Sequence, residues 1–168
     1  MKILADSSLG RLSKWLRILG YDTVYHRGEA DRSFLRKAEK EGRAILTRRK
    51  DVLQRNHSGI VVFVENDRVE DQIGEVLGKL SLAPMPEDFF TICLECNVSL
   101  EKVTRDEVRS EIPDYVYRTQ QEFRRCPGCG RVYWPGTHRE RILNTLERLL
   151  KDRNAAGPQA TGHKPQGQ

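Results

Sequence analysis

The first half of the chain alternates short apolar runs with segments of helical periodicity, and this alternation constrains the fold most. The apolar runs cover residues 2–5, 21–26, 44–47 and 60–64. Predicted helices follow the first, second and fourth runs, beginning after Asp6, Asp31 and Arg68, and a brief helix or turn that begins at Val52 follows the third. Alternating strands and helices predict βαβ units with right-handed crossovers and a parallel sheet. We therefore predict an α/β domain over residues 1–83.

The first of these units, residues 2–22, shows the pattern most clearly. Its leucines recur at helical spacing between Leu9 and Leu19, and Gly20 is the predicted end of the helix. Ser7 or Ser8 is the predicted helix N-cap, because a serine hydroxyl accepts hydrogen bonds from unpaired N–H groups.

Acidic residues follow the predicted strands. Asp6 comes directly after the first run, Asp31 opens the helix after the second, and Asp51 lies shortly after the third; Glu65 and Asp67 follow the fourth. Because parallel strands point the same way, these carboxylates are expected at one edge of the sheet, where α/β proteins bind ligands. Helix capping explains each acid singly, Asp6 included, but explains their gathering less well.

Basic residues crowd the same region of a chain whose formal net charge is +5. Residues 8–55 contain 13 Lys and Arg against 6 Asp and Glu, whereas residues 56–88 contain 2 against 7. A solvated helix face is one explanation, and a surface that follows the phosphates of a nucleic acid is the other.

The second half contains two Cys-x-x-Cys pairs with 29 residues between them. Two such pairs complete a tetrahedral zinc site, so we predict that Cys93, Cys96, Cys126 and Cys129 bind a structural Zn²⁺. Two disulfides and a redox motif are the alternatives. Four thiolates leave no open coordination position, so this metal is expected to fold the segment and not to catalyse. Asn97 and Gly130 suit the left-handed turns that follow such pairs.

A Pro-containing stretch at residues 83–86 separates the two halves, because proline cannot continue a helix. We predict a zinc ribbon with a closing helix over residues 88–152, with strands at 97–100 and 115–118, and a disordered tail over residues 153–168. Tyr133 and Trp134 lie beside several arginines. They either stack nucleic-acid bases or dock the ribbon on the first domain.

The sequence also predicts where the protein resides. No apolar run approaches the roughly 20 residues that cross a bilayer. The first residues resemble a strand and not a secretory signal. These features predict no membrane partner and a cytoplasmic location.

The order of these motifs resembles the Mut7-C RNase domain family, which consists of PIN-like proteins with a C-terminal zinc ribbon. The resemblance covers residue 1 to about residue 150. Its motifs in this chain are Asp6-x-x-Leu9-Gly10-Arg11-Leu12, Trp15-Leu16-Arg17-x-Leu19-Gly20-Tyr21-Asp22, Glu41-Gly42-Arg43-x-Ile45-Leu46-Thr47-Arg48, Gln72, Cys93-x-x-Cys96-Asn97 and Cys126-x-x-Cys129-Gly130-x-Val132-Tyr133-Trp134-x-Gly136-x-His138.

The resemblance implies a three-layer α/β/α fold with a central parallel sheet, and a metal-dependent ribonuclease activity. Asp6 matches the first acid of the PIN-like site, and Asp31 matches the acid that opens the second helical segment. Two positions after Thr47, where the family usually has Asp, this chain has Arg49. Asp51 either supplies the missing carboxylate or caps a helix.

Two functions follow from this pattern. In the first, an endoribonuclease holds Mg²⁺ or Mn²⁺ on Asp6, Asp31 and Asp51, with Glu65 or Asp67 as further ligands, and the ion activates water for attack on RNA. The basic residues predicted to bind the RNA backbone are Arg11, Lys14, Arg48, Arg49 and Lys50. In the second, the chain is a non-catalytic RNA- or ribosome-binding adaptor that has lost the metal site through Arg49. A protein-binding module is a third possibility.

Overall fold

The fold is that of a computed structural model, which describes residues 1–155, with the backbone alone for residues 137, 138 and 152–155. Within this part of the chain no helix combines the length and the apolar character that crossing a bilayer requires.

Four parallel strands form the sheet of the first half. They are β1 (Lys2–Ala5), β2 (Asp22–Tyr25), β3 (Ala44–Thr47) and β4 (Val61–Phe63). Their spatial order is β2-β1-β3-β4, so that β1 and β3 are the central strands. In the register, Leu4 of β1 lies opposite Val24 of β2 and Ile45 of β3. The predicted parallel α/β fold is confirmed.

Four helices flank this sheet: α1 (Gly10–Ile18), α2 (Arg32–Glu41), α3 (Lys50–Leu53) and α4 (Val69–Lys79). Alternate side chains of a strand point to opposite faces, and β1 illustrates the result. Ile3 packs in one core with residues of α1 and α4, whereas Leu4 packs in a second core with Phe34 of α2. Helices therefore cover both faces of the sheet, and the first half has three layers.

The predicted end of α1 agrees with the structure, whereas its predicted N-cap does not. Its N-cap is Leu9, which makes no side-chain hydrogen bond to the helix, so the prediction of Ser7 or Ser8 as N-cap is wrong. Ser8 instead donates to Asp6. The helix ends before Gly20, whose φ of +87° lies in the left-handed region. A Cβ on Gly20 would lie 2.6 Å from Cβ of Asp88, so only glycine lets the second half approach this closely.

The second half contains a small antiparallel sheet, which consists of β5 (Glu101–Val103), β6 (Phe123–Arg125) and β7 (Val132–Tyr133). The strand predicted at residues 97–100 is wrong: only Ser99 forms an isolated bridge, with Ile92.

The strand predicted at residues 115–118 is also wrong, because these residues belong to helix α5 (Asp114–Thr119). Tyr-Val-Tyr has the composition of a strand, but packing overrides this weak local preference. Val116 is buried in a small core with Val108, Ile112 and Phe123, and the helix directs it there.

The last described element, α6 (Thr137–Ala155), returns to the first half of the chain. Leu146 of α6 is 1% exposed and belongs to the same core as α1 and α4. The helix continues to Ala155, beyond residue 153, where we placed the start of the tail. The remainder of the predicted tail, residues 156–168, lies outside the described residues.

Candidate metal centre and strand-edge site

The four cysteines of the second half meet at one point. Their four Sγ atoms all lie within 4.8 Å of one another, and the Sγ atoms of Cys93 and Cys129 are 3.8 Å apart. A tetrahedral zinc ion with Zn–S bonds of about 2.3 Å requires sulfur atoms about 3.8 Å apart. The cysteines are therefore positioned to bind one metal ion, and their geometry fits Zn²⁺. No disulfide joins them.

Tight turns present these thiols, as the sequence predicts. The N–H of Asn97 donates to the carbonyl of Cys93 at 3.0 Å, and the N–H of Gly130 donates to the carbonyl of Cys126 at 2.9 Å. Asn97 has a φ of +59° and Gly130 a φ of +75°, so both turns are left-handed. Glycine adopts the left-handed conformation of Gly130 at low energetic cost, and glycine or asparagine adopts that of Asn97.

The electrostatics of the thiols also favour a bound cation. Burial raises the pKa of the Cys93 thiol, but hydrogen bonds from the Tyr133 hydroxyl and from the backbone outweigh this effect and lower the pKa to about 6. The side-chain hydrogen bond with Cys129, together with burial, raises the pKa of Cys96 to about 12. Four adjacent thiols cannot all ionise without a compensating positive charge, and a bound Zn²⁺ supplies it.

Two side chains join the metal centre to the first half. Arg17, which is 6% exposed, donates through Nε to the carbonyl of Thr23 at 2.8 Å and through Nη1 to the carbonyl of Leu94, between the first two cysteines. Asn97 accepts a hydrogen bond from the N–H of Thr23 at 2.8 Å and donates to Oδ1 of Asp22 at 2.5 Å. The ribbon therefore docks near the beginning of β2, at the amino end of the sheet.

We expect Asn97→Ala to destabilise the protein by about 2–3 kcal/mol and Asn97→Gly by about 1–2 kcal/mol. Both variants lose the hydrogen bonds to Asp22 and Thr23, but alanine also resists the left-handed backbone that glycine accepts. Urea unfolding of the zinc-loaded proteins measures the difference. Equal losses in the two variants would show that the backbone conformation contributes nothing.

The second candidate site surrounds Asp6, at the carboxyl end of the central strand β1. This carboxylate is 1% exposed and accepts four hydrogen bonds. Oδ1 accepts from the N–H and the hydroxyl of Ser8 at 2.9 and 2.5 Å, and Oδ2 accepts from the hydroxyl of Thr47 at 2.5 Å and from the N–H of Arg48 at 3.2 Å. Asp6 therefore joins the ends of β1 and β3 and is not the cap of α1.

The other two predicted acids have different surroundings. Asp31 is the N-cap of α2, where Oδ1 accepts from the N–H groups of Ser33 and Phe34 at 2.8 and 3.1 Å. Asp51 lies in the first turn of α3 and contacts two arginines. Within the described part of the chain, the cysteines form the only group of three or more His, Cys, Asp or Glu ligand atoms within 4.8 Å of one another. The structure therefore does not bring the three predicted metal-binding acids together.

Arginines pair with several of the other acids at this edge. Arg49 contacts Glu29 at 2.6 Å and Asp51 at 3.1 and 3.2 Å, and Arg55 contacts Asp51 at 2.8 Å. Arg48 pairs with Asp67. Hydrogen bonding with Arg49 holds the pKa of Asp51 below its usual range. Glu29, Asp51 and Asp67 are thus neutralised by arginines, a pairing that the sequence pattern did not reveal.

The remaining residues predicted to bind RNA are in part engaged with protein groups. Lys14 pairs with Glu95 of the ribbon at 2.7 Å. Arg11 and Lys50 are exposed and form no ion pair with any described residue. These two side chains are therefore the basic groups of the predicted set that remain available to a ligand.

Sequence reasoning missed several residues of both sites. Ser8 and Thr47 hold Asp6, Arg17 supports the ribbon, and the hydroxyl of Tyr133 lies 3.1 Å from Sγ of Cys93. Thr47 carries a signal in the sequence, since it is a polar side chain in a predicted apolar strand. Arg17 carries none, because its helical spacing places it on the face opposite the leucines, although the structure buries it.

Comparison with known proteins gives one result. The model of the Mut7-C RNAse domain family matches residues 1–146, which include the parallel sheet, the four cysteines and the whole candidate edge site. No curated protein and no solved structure shows significant similarity to the chain.

Proposed function

The chain belongs to the Mut7-C RNAse domain family, and on this premise we propose that it is a ribonuclease whose site lies at the carboxyl edge of the parallel sheet. Asp6 is the observation that supports this location most. A carboxylate that is 1% exposed and oriented by four hydrogen bonds is costly to bury and stands where α/β proteins bind ligands. The exposed Arg11 and Lys50 suit a phosphodiester substrate.

We also propose that the activity depends on Mg²⁺ or Mn²⁺ held by Asp6, Asp31 and Asp51. The arrangement described does not fit such an ion as it stands, because the three carboxylates are not gathered and Asp51 is paired with Arg49 and Arg55. An ion on these ligands requires both Arg49 and Arg55 to leave Asp51.

A non-catalytic RNA-binding function is the second candidate, and Arg49 is the observation that favours it. Its guanidinium bridges Glu29 and Asp51. A cation thus occupies the position at which the family resemblance leads us to expect a carboxylate. Such a protein would bind RNA in a salt-sensitive way. It would not cleave RNA, whichever divalent ion is present.

The proposal is tested by incubating labelled single-stranded and structured RNAs with the full-length protein, in the presence of Mn²⁺, Mg²⁺ or a chelator. The zinc content is measured after each incubation, since a chelator also attacks the cysteine site. Cleavage that requires Mn²⁺ or Mg²⁺ and is lost in Asp6→Asn supports the ribonuclease. If the protein binds RNA but cleaves it with none of these ions, the ribonuclease proposal is overturned and the second candidate is supported.

If Arg49 competes with the metal, Arg49→Gln is expected to lower the Mn²⁺ concentration for half-maximal cleavage by about 1.4- to fivefold. This factor corresponds to the loss of an exposed ion pair, which contributes roughly 0.2–1 kcal/mol. Arg36→Gln, an exposed arginine of α2, is the matched control and should change nothing. An unchanged or higher Mn²⁺ requirement in Arg49→Gln would contradict competition.

A further inference from the structure

A cavity of about 360 Å³ lies between the ribbon, the segment that follows residue 88 and the first turns of α6. Its walls are mainly apolar and aromatic, and its charged groups are few. The residues that matter for its chemistry are Phe90, Leu94, Glu122, Arg124, Trp134 and Arg139. A cavity of this size accommodates a small planar molecule or part of a larger one.

Arg139 is the polar group that most needs a ligand. Its guanidinium lies over the ring of Phe90, 5.1 Å from the centroid. Its Nε is buried and has no hydrogen-bond partner among the described residues. Leaving a buried N–H unpaired is costly. An acceptor atom that enters the cavity can remove this cost.

Two further charged residues of the cavity are uncommitted. Neither Arg124 nor Glu122 forms a side-chain hydrogen bond or an ion pair within the described part of the chain. With Arg139, the cavity therefore has two guanidinium groups against one carboxylate, that of Glu122, and its positive balance favours a negatively charged ligand.

Tyr133 and Trp134, the two neighbouring aromatic residues of the ribbon, have different surroundings. Tyr133 uses its hydroxyl near Sγ of Cys93, at 3.1 Å, and so belongs to the metal centre. Trp134 remains 36% exposed at the cavity. Its indole is thus an aromatic surface that the fold leaves partly open. Stacking on such a surface is how proteins hold unstacked bases of single-stranded RNA.

We propose that this cavity binds an unstacked nucleobase of single-stranded RNA, with the base on Trp134, Arg139 donating to a base acceptor and Arg124 directed to the adjoining phosphate. That the occupant is RNA rests on the proposed function. A nucleobase combines a flat aromatic face with ring and carbonyl acceptors, and its backbone carries the negative charge that two uncommitted arginines favour. An apolar peptide segment offers backbone carbonyl acceptors but supplies neither the negative charge nor the flat face that carries ring acceptors.

This base site is distinct from the cleavage site proposed above. The ribbon docks at the amino end of β2, through Asp22 and Thr23, whereas Asp6 lies at the carboxyl end of β1. The cavity therefore holds a nucleotide away from the bond that is cut, and its loss should weaken binding.

The test measures the affinity of the full-length, zinc-loaded protein for a labelled single-stranded RNA by fluorescence anisotropy, without added Mg²⁺ or Mn²⁺. We expect Trp134→Ala to weaken binding about 5- to 150-fold, the range for loss of one stacked base. Trp134→Phe should retain most of the affinity. Tyr115→Ala is the matched control, because Tyr115 is an aromatic residue of the same half that is 68% exposed and outside the cavity.

A second variant, Arg139→Gln, should also weaken binding to single-stranded RNA, and neither variant should change the affinity for a blunt RNA duplex, whose bases stay stacked. If Trp134→Ala loses zinc or its fold, Arg139→Gln alone provides the test. Wild-type affinity in the folded variants overturns the base site and leaves the ribonuclease standing. RNA binding that depends on Trp134, together with no cleavage under any ion, would support the base site and overturn the ribonuclease.

Discussion

Removal of zinc is expected to unfold the second half of the chain and to lower the stability of the first half with it. Among the described residues, the hydrophobic core of the ribbon has four buried members, Val108, Ile112, Val116 and Phe123. So small a core rarely folds without a metal or disulfides. In zinc-finger peptides, structural Zn²⁺ contributes apparent binding energies of about 10–16 kcal/mol at neutral pH, and most of this energy is folding energy.

The effect should reach the first half because the two halves share buried contacts. Arg17 is 6% exposed and donates to the carbonyl of Leu94, so an unfolded ribbon leaves a buried guanidinium without this acceptor. Asn97 likewise ceases to pair with Thr23 and Asp22. A buried charged donor that loses its partner costs at least about 1–3 kcal/mol.

This prediction is tested by thermal unfolding and hydrogen exchange of the holoprotein, the chelated protein and Cys126→Ser, with the zinc content determined in parallel. We expect the hydrogen-exchange protection of β5 and β6 to disappear and the unfolding midpoint of the first half to fall. Re-addition of Zn²⁺, but not of Mg²⁺, should restore the chelated protein and not the variant. A chelated protein that keeps its midpoint and its protected strands would show that the cysteines are not a structural zinc site.

Asp6→Asn is expected to abolish cleavage and also to destabilise the fold. Each carboxylate oxygen of Asp6 accepts from one backbone N–H, that of Ser8 or that of Arg48. Whichever way an asparagine amide is turned, its NH₂ group faces a backbone donor that cannot reverse. The loss of one buried hydrogen bond in this way costs about 1–3 kcal/mol. If Asp6 is a metal ligand, the loss of activity should be at least about 100-fold.

The two effects are separated by measuring activity per folded molecule, well below the unfolding midpoint of the variant. Asp114→Asn is the matched control, because Asp114 is an exposed acid that pairs with Arg109 in the second half. It should retain both stability and activity. Normal cleavage by folded Asp6→Asn would remove Asp6 from the catalytic site, although the buried carboxylate would keep its role in joining β1 to β3.

Much of this protein follows from local sequence patterns. The alternation of apolar runs and helical segments predicts the parallel sheet, because strand and helix periodicities are properties of a few neighbouring residues. The two Cys-x-x-Cys pairs predict the metal centre for a similar reason, since each pair places two thiols on one turn. Asn97 and Gly130 extend this success to backbone conformation, as left-handed turns have few compatible residues.

What only the tertiary structure decided depends on residues that are distant in sequence. Tyr-Val-Tyr becomes the helix α5 because the core around Val116 requires it, and α6 joins the core of the first half through Leu146. The pairing of Arg49 with Glu29 joins two loops that are 20 residues apart. No local pattern encodes which arginine neutralises which acid, because many pairs are nearly equal in energy on an exposed edge and the relative positions of the strands select among them.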